Sequence, residues 1–238
     1  MLYWFLKWIG LGPAMKLVWR PRVEGERSLP AAGPVILACN HLSFIDSLFL
    51  PLLVRRRVTF LAKADYFTQP GIKGVLSRAF FAGTGQVPID RTGADAAQAA
   101  LDTGLRVLGE GRMLGIYPEG TRSPDGRLYR GKTGVARLAL ASGSPVVPCA
   151  VIGTDRLQPP GRLLPKLRPR PQLRFGPALD FSARAAGDIA GADRRTLERA
   201  VTNEIIEAIR ALSGQEYVDE YAADVKARRG GPRAFGSS

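Results

Sequence analysis

The sequence predicts an α/β fold with a mixed, mostly parallel central sheet covered by helices. Beyond Glu26, short apolar runs alternate with segments of helical periodicity, which is typical of a sheet packed against helices. Hydrophobic residues make up 45% of the 238 residues and charged residues 23%, a globular composition that suffices for a large core. No internal repeat is present, so a repeat architecture is not expected.

Residues 1–22 are interpreted as an N-terminal membrane-interfacial segment. This stretch contains every tryptophan of the chain, and indole rings favour the headgroup level of a bilayer. They are Trp4, Trp8 and Trp19. Aromatic and aliphatic side chains would enter the acyl boundary while basic side chains meet anionic headgroups. The basic side chains are Lys7, Lys16, Arg20 and Arg22.

A membrane-spanning helix is not expected in this segment. Gly10, Gly12 and Pro13 interrupt the apolar run, whereas a span needs roughly 20 mostly apolar residues. A signal peptide is not expected either, since a basic start followed by a small-residue cleavage site is missing. The remaining alternative is an N-terminal helix that only packs against the core.

Residues 23–215 form the predicted α/β domain, and residues 216–238 are interpreted as a C-terminal tail. Apolar runs predict strands at 35–39, 58–62, 79–88, 113–117, 146–152 and 172–175. Helical patterns predict helices at 43–53, 72–78, 94–110, 134–141 and 194–213. The end of the tail, from residue 228, has a composition typical of disorder.

The net charge of +13 and the pI near 10.4 predict anionic partners. The segment from residue 154 to residue 184 contains seven basic residues and only two aspartates, which fits either a solvated loop or a phosphate-facing patch. Nucleic acid is not an expected partner, because no recognised binding module is visible. The aromatic residues cluster at the N-terminus instead of among the basic loops.

The two cysteines, Cys39 and Cys149, lie in apolar runs and are expected to be reduced, buried thiols in a cytosolic compartment. Cys39 stands close to a histidine, which raises the alternative of a thiol nucleophile. An apolar environment would raise the pKa of this thiol and leave it un-ionised, which disfavours that alternative. With one histidine and two distant cysteines, a metal site is not expected.

The single histidine, His41, follows the first predicted core strand, and Asp46 follows five residues later. In one continuous helix the two would lie about 140° apart, so they meet more easily if His41 is in a loop and Asp46 in the first helical turn. Ser43 and Asp46 have capping-box spacing, which predicts Ser43 as N-cap and a helix from Phe44. In the alternative, Asp46 only satisfies backbone donors and His41 is a packed loop residue.

Two further strings place polar side chains at the ends of predicted strands. Gly85 to Arg91 ends one strand with an arginine, and Tyr117 to Ser123 places a carboxylate, a glycine, hydroxyls and a guanidinium in a turn. Each string alone is explained by the residue types that turns favour. Together with His41, they predict one shared cleft.

These strings resemble the motif blocks of the glycerolipid acyltransferase family, typified by the 1-acyl-sn-glycerol-3-phosphate acyltransferases. The resemblance covers about residues 35–153 and keeps the family's order of blocks. His41 and Asp46 match the first block, Asn-His-x4-Asp, and Gly85, Ile89 and Arg91 match the second. Tyr117 to Ser123 match the third block, Phe-Pro-Glu-Gly-Thr-Arg-Ser, with Tyr117 replacing Phe, and Lys132 and Gly134 match the lysine and glycine that follow it. Val147 and Pro148 match the fourth block.

The resemblance implies acyl transfer from a thioester, acyl-CoA or acyl-carrier protein, to the free hydroxyl of 1-acyl-sn-glycerol 3-phosphate. No cofactor is implied. His41 would act as general base and Asp46 would fix its tautomer. Arg91 and Arg122 would bind the acceptor phosphate, because a guanidinium matches two phosphate oxygens. The other implied substrate-binding residues are Glu119, Gly120, Thr121 and Lys132.

Several alternatives stay open at this point. The acceptor is lysophosphatidic acid in the preferred interpretation, and glycerol 3-phosphate, another lysophospholipid or a glycolipid in the alternatives. A noncatalytic protein that binds anionic lipid is a further alternative. The expected location is the cytoplasmic face of the cell membrane, with peripheral or monotopic attachment.

Overall fold

The computed structural model describes residues 2–68, 70–89, 96–162, 164–185 and 192–229. Seven strands form one sheet in the order β1-β8-β7-β2-β5-β3-β4, and a small second sheet pairs β6 with β9. The strands are β1 (Arg22–Glu24), β2 (Val35–Cys39), β3 (Val58–Lys63), β4 (Gln86–Ile89), β5 (Met113–Ile116), β6 (Leu128–Tyr129), β7 (Val146–Ile152), β8 (Gln172–Phe175) and β9 (Tyr217–Val218). Every neighbouring pair of the large sheet is parallel except β7 with β8, which confirms the predicted fold class.

Helices cover both faces of the large sheet. They are α1 (Leu2–Trp8), α2 (Leu11–Trp19), α3 (Asp46–Leu53), α4 (Asp65–Thr68), α5 (Gly71–Gly83), α6 (Ala96–Gly109), α7 (Gly134–Ser142), α8 (Thr154–Leu157), α9 (Ser182–Ala185), α10 (Ala192–Ser213) and α11 (Ala222–Arg228). Within the ranges that the structure describes, no helix is long and apolar enough to cross a bilayer.

Strand β2 lies at the centre of the sheet and is buried along its whole length. Its alternate side chains enter two cores. Val35, Leu37 and Cys39 pack with α2 and α3 on one face, whereas Ile36 and Ala38 pack with α6, α7 and α10 on the other. Because β5 runs parallel beside β2, the loops that follow these two strands meet at one edge of the sheet.

Three predicted strands, 35–39, 146–152 and 172–175, have the observed bounds, whereas the strand predicted at 79–88 is correct only over 86–88. Its first half continues α5 to Gly83, where the Thr84 hydroxyl donates to the carbonyl of Phe80. A turn at Gly85, with φ of +84°, then leads into β4. A short apolar run does not by itself distinguish a buried helical turn from a strand, which explains the error.

The N-terminal helices pack closely on α3. The Tyr3 hydroxyl donates to the carbonyl of Pro51 at 2.8 Å. Lys7 is 1% exposed, and its ammonium donates to Tyr3 and to the carbonyls of Pro51, Val54 and Arg56. The prediction that Lys7 meets lipid headgroups is therefore wrong, because the carbonyls at the end of α3 bind this side chain in the interior.

Trp19 is partly buried against the core. Its ring packs edge-to-face on Phe49 at 5.9 Å, and its indole N–H donates to the carbonyl of Lys166 at 2.8 Å. Seven apolar side chains of α1, α2 and the turn between them leave an exposed surface. Its members are Leu2, Trp4, Phe5, Trp8, Ile9, Leu17 and Val18. The segment thus combines core packing with an exposed apolar face.

The described part of the predicted tail, residues 216–229, is folded against the domain. β9 pairs in parallel with β6, which follows the Glu119 turn. Ala222 and Val225 of α11 form a small core with Tyr129. Residues 230–238 lie outside the described part of the chain.

Candidate active site

His41 and Asp46 meet at the carboxyl end of β2. Nδ1 of His41 lies 3.0 Å from Oδ2 of Asp46, and the same oxygen accepts the N–H groups of Leu42 and Ser43 at 2.7 Å each. Asp46 is completely buried, while the His41 side chain is 14% exposed. The carboxylate therefore holds the imidazole by Nδ1 and leaves Nε2 available to a substrate.

The predicted capping box is only half correct. Helix α3 begins at Asp46, not at Phe44, and the Ser43 hydroxyl donates to the carbonyl of Gln158 at 2.8 Å instead of capping the helix. The reciprocal half is present, because the Asp46 carboxylate accepts the Ser43 N–H. Asp46 thus satisfies backbone donors, as one interpretation expected, and also contacts His41, as the other required.

Asn40, the residue before the histidine, connects β2 to two distant segments. Its side chain exchanges two hydrogen bonds with the backbone of Val151, at 2.7 and 2.9 Å, and donates to Gln215 at 2.7 Å. It is completely buried. Asn40 therefore sets the direction in which the chain leaves β2 toward His41, a role that sequence reasoning did not assign.

Tyr117 forms one wall of the site. Its ring stacks on the imidazole of His41 with centroids 3.8 Å apart and planes 10° apart, and the Phe60 ring stacks behind it at 5.2 Å. The Tyr117 hydroxyl lies 3.4 Å from the Ser47 hydroxyl. The stacking restricts rotation of the imidazole, so the ring is held by Asp46 at its edge and by Tyr117 at its face.

Glu119 is 1% exposed and connects the two loops of the site. Oε1 accepts the N–H of His41 at 3.1 Å and Oε2 accepts the N–H of Tyr129 at 3.0 Å. Burial raises the pKa of this carboxyl to about 7, although both backbone donors oppose the rise. Both oxygens face backbone, so the structure does not bring Glu119 to the cavity where the sequence analysis placed it.

Four of the other predicted site residues line one cavity. Gly120, Thr121, Arg122 and Lys132 line it together with His41. Gly120 has a φ of +74°, and a Cβ atom there would lie 3.1 Å from the side chain of Lys132, which favours glycine in this tight turn. Arg91 lies outside the described residues.

The cavity has a volume of about 690 Å³ and extends from His41 between the sheet and helices α6 and α7. Its walls are largely apolar. The large apolar side chains among them are Phe44, Phe60, Leu61, Phe81, Ile89, Leu101, Leu114, Ile116 and Leu138. Arg137 of α7 adds a cation that the sequence analysis did not single out. Cationic and apolar groups thus share one space with the histidine.

A sequence model of the family described as Acyltransferase matches residues 20–152, more than half of the chain. The chain belongs to the acyltransferase family. This confirms the resemblance drawn from the motif blocks. The match ends before α8, so Gln158, Gln215 and the whole C-terminal segment lie outside the region that the family model covers.

Similar proteins carry a consistent name. A chloroplastic 1-acyl-sn-glycerol-3-phosphate acyltransferase of Brassica napus is 31% identical over 140 residues, which are 58% of this acyltransferase and 39% of that protein. The 1-acyl-sn-glycerol-3-phosphate acyltransferase of Bacillus subtilis is 29% identical over 134 residues, 56% of this chain and 62% of that protein. The match with the plant protein thus spans about two fifths of its length.

The fold is also similar to a solved structure. The crystal structure of the 1-acyl-sn-glycerophosphate acyltransferase PlsC from Thermotoga maritima matches with a TM-score of 0.61 and 25% sequence identity. The match covers 88% of this acyltransferase and 78% of the other chain. The similarity therefore extends well beyond residues 20–152.

Lys226 of α11 reaches the site from outside the family match. Its ammonium donates to the Thr121 hydroxyl at 2.9 Å. Burial, and next the neighbouring Arg122, lower the pKa of Lys226. No periodic signal in the sequence pointed to this contact, because Thr121 and Lys226 are 105 residues apart.

The electrostatic surroundings lower the pKa of His41 below its ordinary value and so favour its neutral form. Burial is the largest cause that lowers the pKa of His41, and Arg122 and Lys226 lower it further, while Asp46 opposes them. A neutral imidazole with Nδ1 held by a carboxylate is prepared to accept a proton at Nε2.

The thiol nucleophile considered for Cys39 is not supported. Cys39 and Cys149 are paired in register on β2 and β7, and both are completely buried. Burial raises the pKa of the Cys39 thiol well above its usual value. The thiol is therefore un-ionised, and it is not among the residues that line the cavity.

Proposed function

We propose that this acyltransferase moves an acyl chain from a thioester donor to the free hydroxyl of 1-acyl-sn-glycerol 3-phosphate, which yields phosphatidic acid. One observation carries the proposal: the His41 and Asp46 pair opens into a cavity that combines cationic side chains with apolar walls. Such a lining suits an acceptor with a phosphate at one end and an acyl chain at the other. The names of the similar proteins support the same acceptor.

In the proposed reaction, Nε2 of His41 takes the proton of the acceptor hydroxyl as its oxygen attacks the thioester carbonyl carbon. Asp46 stabilises the imidazolium that forms, in the manner of the third member of a triad, while the substrate hydroxyl stands in place of a serine. The new ester bond forms, the carbon–sulfur bond breaks, and the imidazolium returns its proton to the thiolate. No acyl-enzyme is needed.

The acceptor phosphate is proposed to bind to Arg122 and Lys132, with Arg91 as a further ligand. Arg122 and Lys132 are both exposed and both line the cavity beside His41. Guanidinium and ammonium groups form charge-assisted hydrogen bonds with phosphate oxygens. Either acyl-CoA or acyl-carrier protein fits the donor role, and no cofactor enters the proposed reaction.

We propose in addition that the exposed apolar face of α1 and α2 binds an anionic membrane surface, at the cytoplasmic face of the cell membrane. The seven exposed apolar side chains of these helices would lie at the acyl boundary.

The double variant Ile9→Ser and Leu17→Ser leaves the buried Tyr3 and Lys7 contacts intact. We expect it to bind vesicles of phosphatidylcholine and phosphatidylglycerol more weakly in a flotation assay; unchanged flotation would contradict the membrane role of these helices.

The decisive test compares wild type, His41→Ala and Cys39→Ala with oleoyl-CoA and three acceptors: lysophosphatidic acid, glycerol 3-phosphate and a neutral lysolipid. We expect transfer to lysophosphatidic acid that is lost in His41→Ala and retained in Cys39→Ala, with circular dichroism as the check on folding. Transfer only to another acceptor would keep the mechanism and replace the substrate. Equal activity of His41→Ala and wild type would remove the general-base role.

A further inference from the structure

We propose that the 164–170 loop, between α8 and β8, is a second membrane-contact element whose Leu164 and Leu167 enter an anionic lipid surface beside α2. This inference rests on the proposed function of a membrane-bound acyltransferase. It adds to the N-terminal face a contact from a segment about 150 residues away along the chain.

The two leucines are among the most exposed large apolar side chains in the described part of the chain. Leu164 is 72% exposed and Leu167 is 74% exposed, and only Leu17 of α2 and Ile9 reach comparable values, 73% and 70%. Exposed apolar side chains that occur together mark interaction surfaces, whereas single ones are ordinary.

Hydrogen bonds fix the 164–170 loop against the end of α2. The Trp19 indole donates to the carbonyl of Lys166, and the Arg170 guanidinium donates to the carbonyl of Arg20. Trp19 itself is held by its contact with Phe49 of the core. The loop is therefore attached to the C-terminal end of α2, the helix that carries the exposed Leu17.

The charge of both segments favours an anionic bilayer over a neutral partner. The loop and its approach expose four basic side chains, Arg162, Lys166, Arg168 and Arg170. The sequence contains no acidic residue from 156 to 179 and none from 1 to 23. Leucines surrounded by basic groups without acidic groups are typical of peripheral contacts with anionic lipid.

The loop is also connected to the catalytic residues. Gln158, just before it, accepts the Ser43 hydroxyl at its carbonyl and the Ile45 N–H at its side chain. Ser43 and Ile45 lie between His41 and Asp46 in sequence. A lipid contact at Leu164 and Leu167 would thus hold the cavity close to the membrane, where a lysophospholipid acceptor is dissolved.

The contact is tested by a fluorophore on the loop. The natural cysteines are buried, so the variant Leu167→Cys can be labelled selectively with an environment-sensitive nitrobenzoxadiazole group. With phosphatidylcholine and phosphatidylglycerol vesicles we expect a blue shift, and quenching by lipids that carry a nitroxide in the acyl chain. The control Ala211→Cys, exposed on α10 at the opposite face of the sheet, should show neither.

A second measurement separates this contact from the N-terminal one. The variant Leu164→Ser with Leu167→Ser should bind the anionic vesicles about tenfold more weakly, because membrane binding scales with the buried apolar area. A labelled Leu167→Cys that stays unshifted while the protein floats with vesicles would overturn the proposal and leave the α1–α2 face in place. Both readouts are independent of turnover, so absence of acyl transfer would count against the proposed function alone.

Discussion

At the residue scale, one carboxylate oxygen organises the loop that carries His41. Oδ2 of Asp46 accepts two backbone N–H groups and lies within hydrogen-bond distance of the His41 ring. The same atom therefore shapes the loop and orients the His41 imidazole. A substitution at Asp46 affects both the backbone hydrogen bonds and the contact with His41. The residue that is introduced decides which of these two roles is lost.

We expect Asp46→Asn to lower kcat by about 10²–10⁴-fold, the usual contribution of general acid–base catalysis. The amide oxygen can still accept the N–H groups of Leu42 and Ser43, but a neutral amide no longer stabilises the imidazolium. The measurement is steady-state kinetics together with thermal unfolding. A kcat within threefold of wild type, in a folded protein, would show that the charge on Asp46 is not used in the reaction.

The pH dependence follows from the environment of His41. Burial, Arg122 and Lys226 hold the pKa of His41 below its ordinary value of 6.5, and a general base must be neutral to act. We expect kcat/KM to be constant near pH 7 and to fall only as the pH drops below 6.5. A pH profile from 5 to 8 measures this, and a decline that begins above pH 7 would contradict it.

Arg122 is predicted to bind the phosphate group of the acceptor. Arg122→Ala should raise KM for the phosphorylated acceptor by about tenfold to a hundredfold, since a hydrogen bond to a charged group contributes about 1.5–3 kcal/mol. Arg122→Lys should lie between the two, because lysine provides a point charge without the planar fork. Equal KM values for all three proteins would exclude a phosphate contact at this position.

At the element scale, the end of α3 depends on a side chain from α1. The carbonyls of Pro51 and Val54 at the end of this helix accept the Lys7 ammonium. Unpaired carbonyls at a helix end are commonly satisfied by lysine, and here the donor comes from another helix. The contact fixes α1 against the core and thereby the orientation of the exposed apolar face.

We expect Lys7→Met to lower the free energy of unfolding by about 1–3 kcal/mol, because buried carbonyls lose their donor while the volume of the side chain is nearly kept. Lys16→Met, at an exposed position on α2, is the matched control and should change stability little. Urea unfolding followed by circular dichroism provides both values. A smaller loss for Lys7→Met than for Lys16→Met would show that this contact does not stabilise the fold.

At the scale of the whole molecule, the C-terminal segment completes the site. Gln215 binds Asn40, β9 pairs with β6 after the Glu119 turn, and Lys226 binds Thr121. Residues from 20–152 that match the family are thus held by a segment that follows them in sequence. The positive charge of Lys226 also reaches His41.

Lys226 is therefore expected to act as a positioning residue. Lys226→Met should lower kcat/KM and raise the pKa seen in the acid limb of the pH profile, since one cause that lowers the pKa of His41 is removed. Lys226→Arg should restore the pKa, because it restores the charge. Arg228→Met, on the exposed side of the same helix, is the control. An acid limb that does not move in Lys226→Met would contradict this role.

Local patterns in the sequence determined much of this protein. The apolar runs of β2 and β7 were predicted at their observed bounds because buried strands are uniformly apolar and turn residues delimit them. The order of the motif blocks led to the family, and the spacing of His41 and Asp46 led to their contact, since five residues that join a strand to a helix leave few arrangements.

Tertiary structure alone decided the rest, because each of these features depends on partners far apart in sequence. Nothing local shows that Lys7 is buried by carbonyls at positions 51–56, that Glu119 accepts two backbone N–H groups, or that Asn40 joins Val151 and Gln215. Periodicity reports which face of a segment is apolar. The partner of a buried polar group is set only when the fold brings the two together, and in this chain such partners position His41.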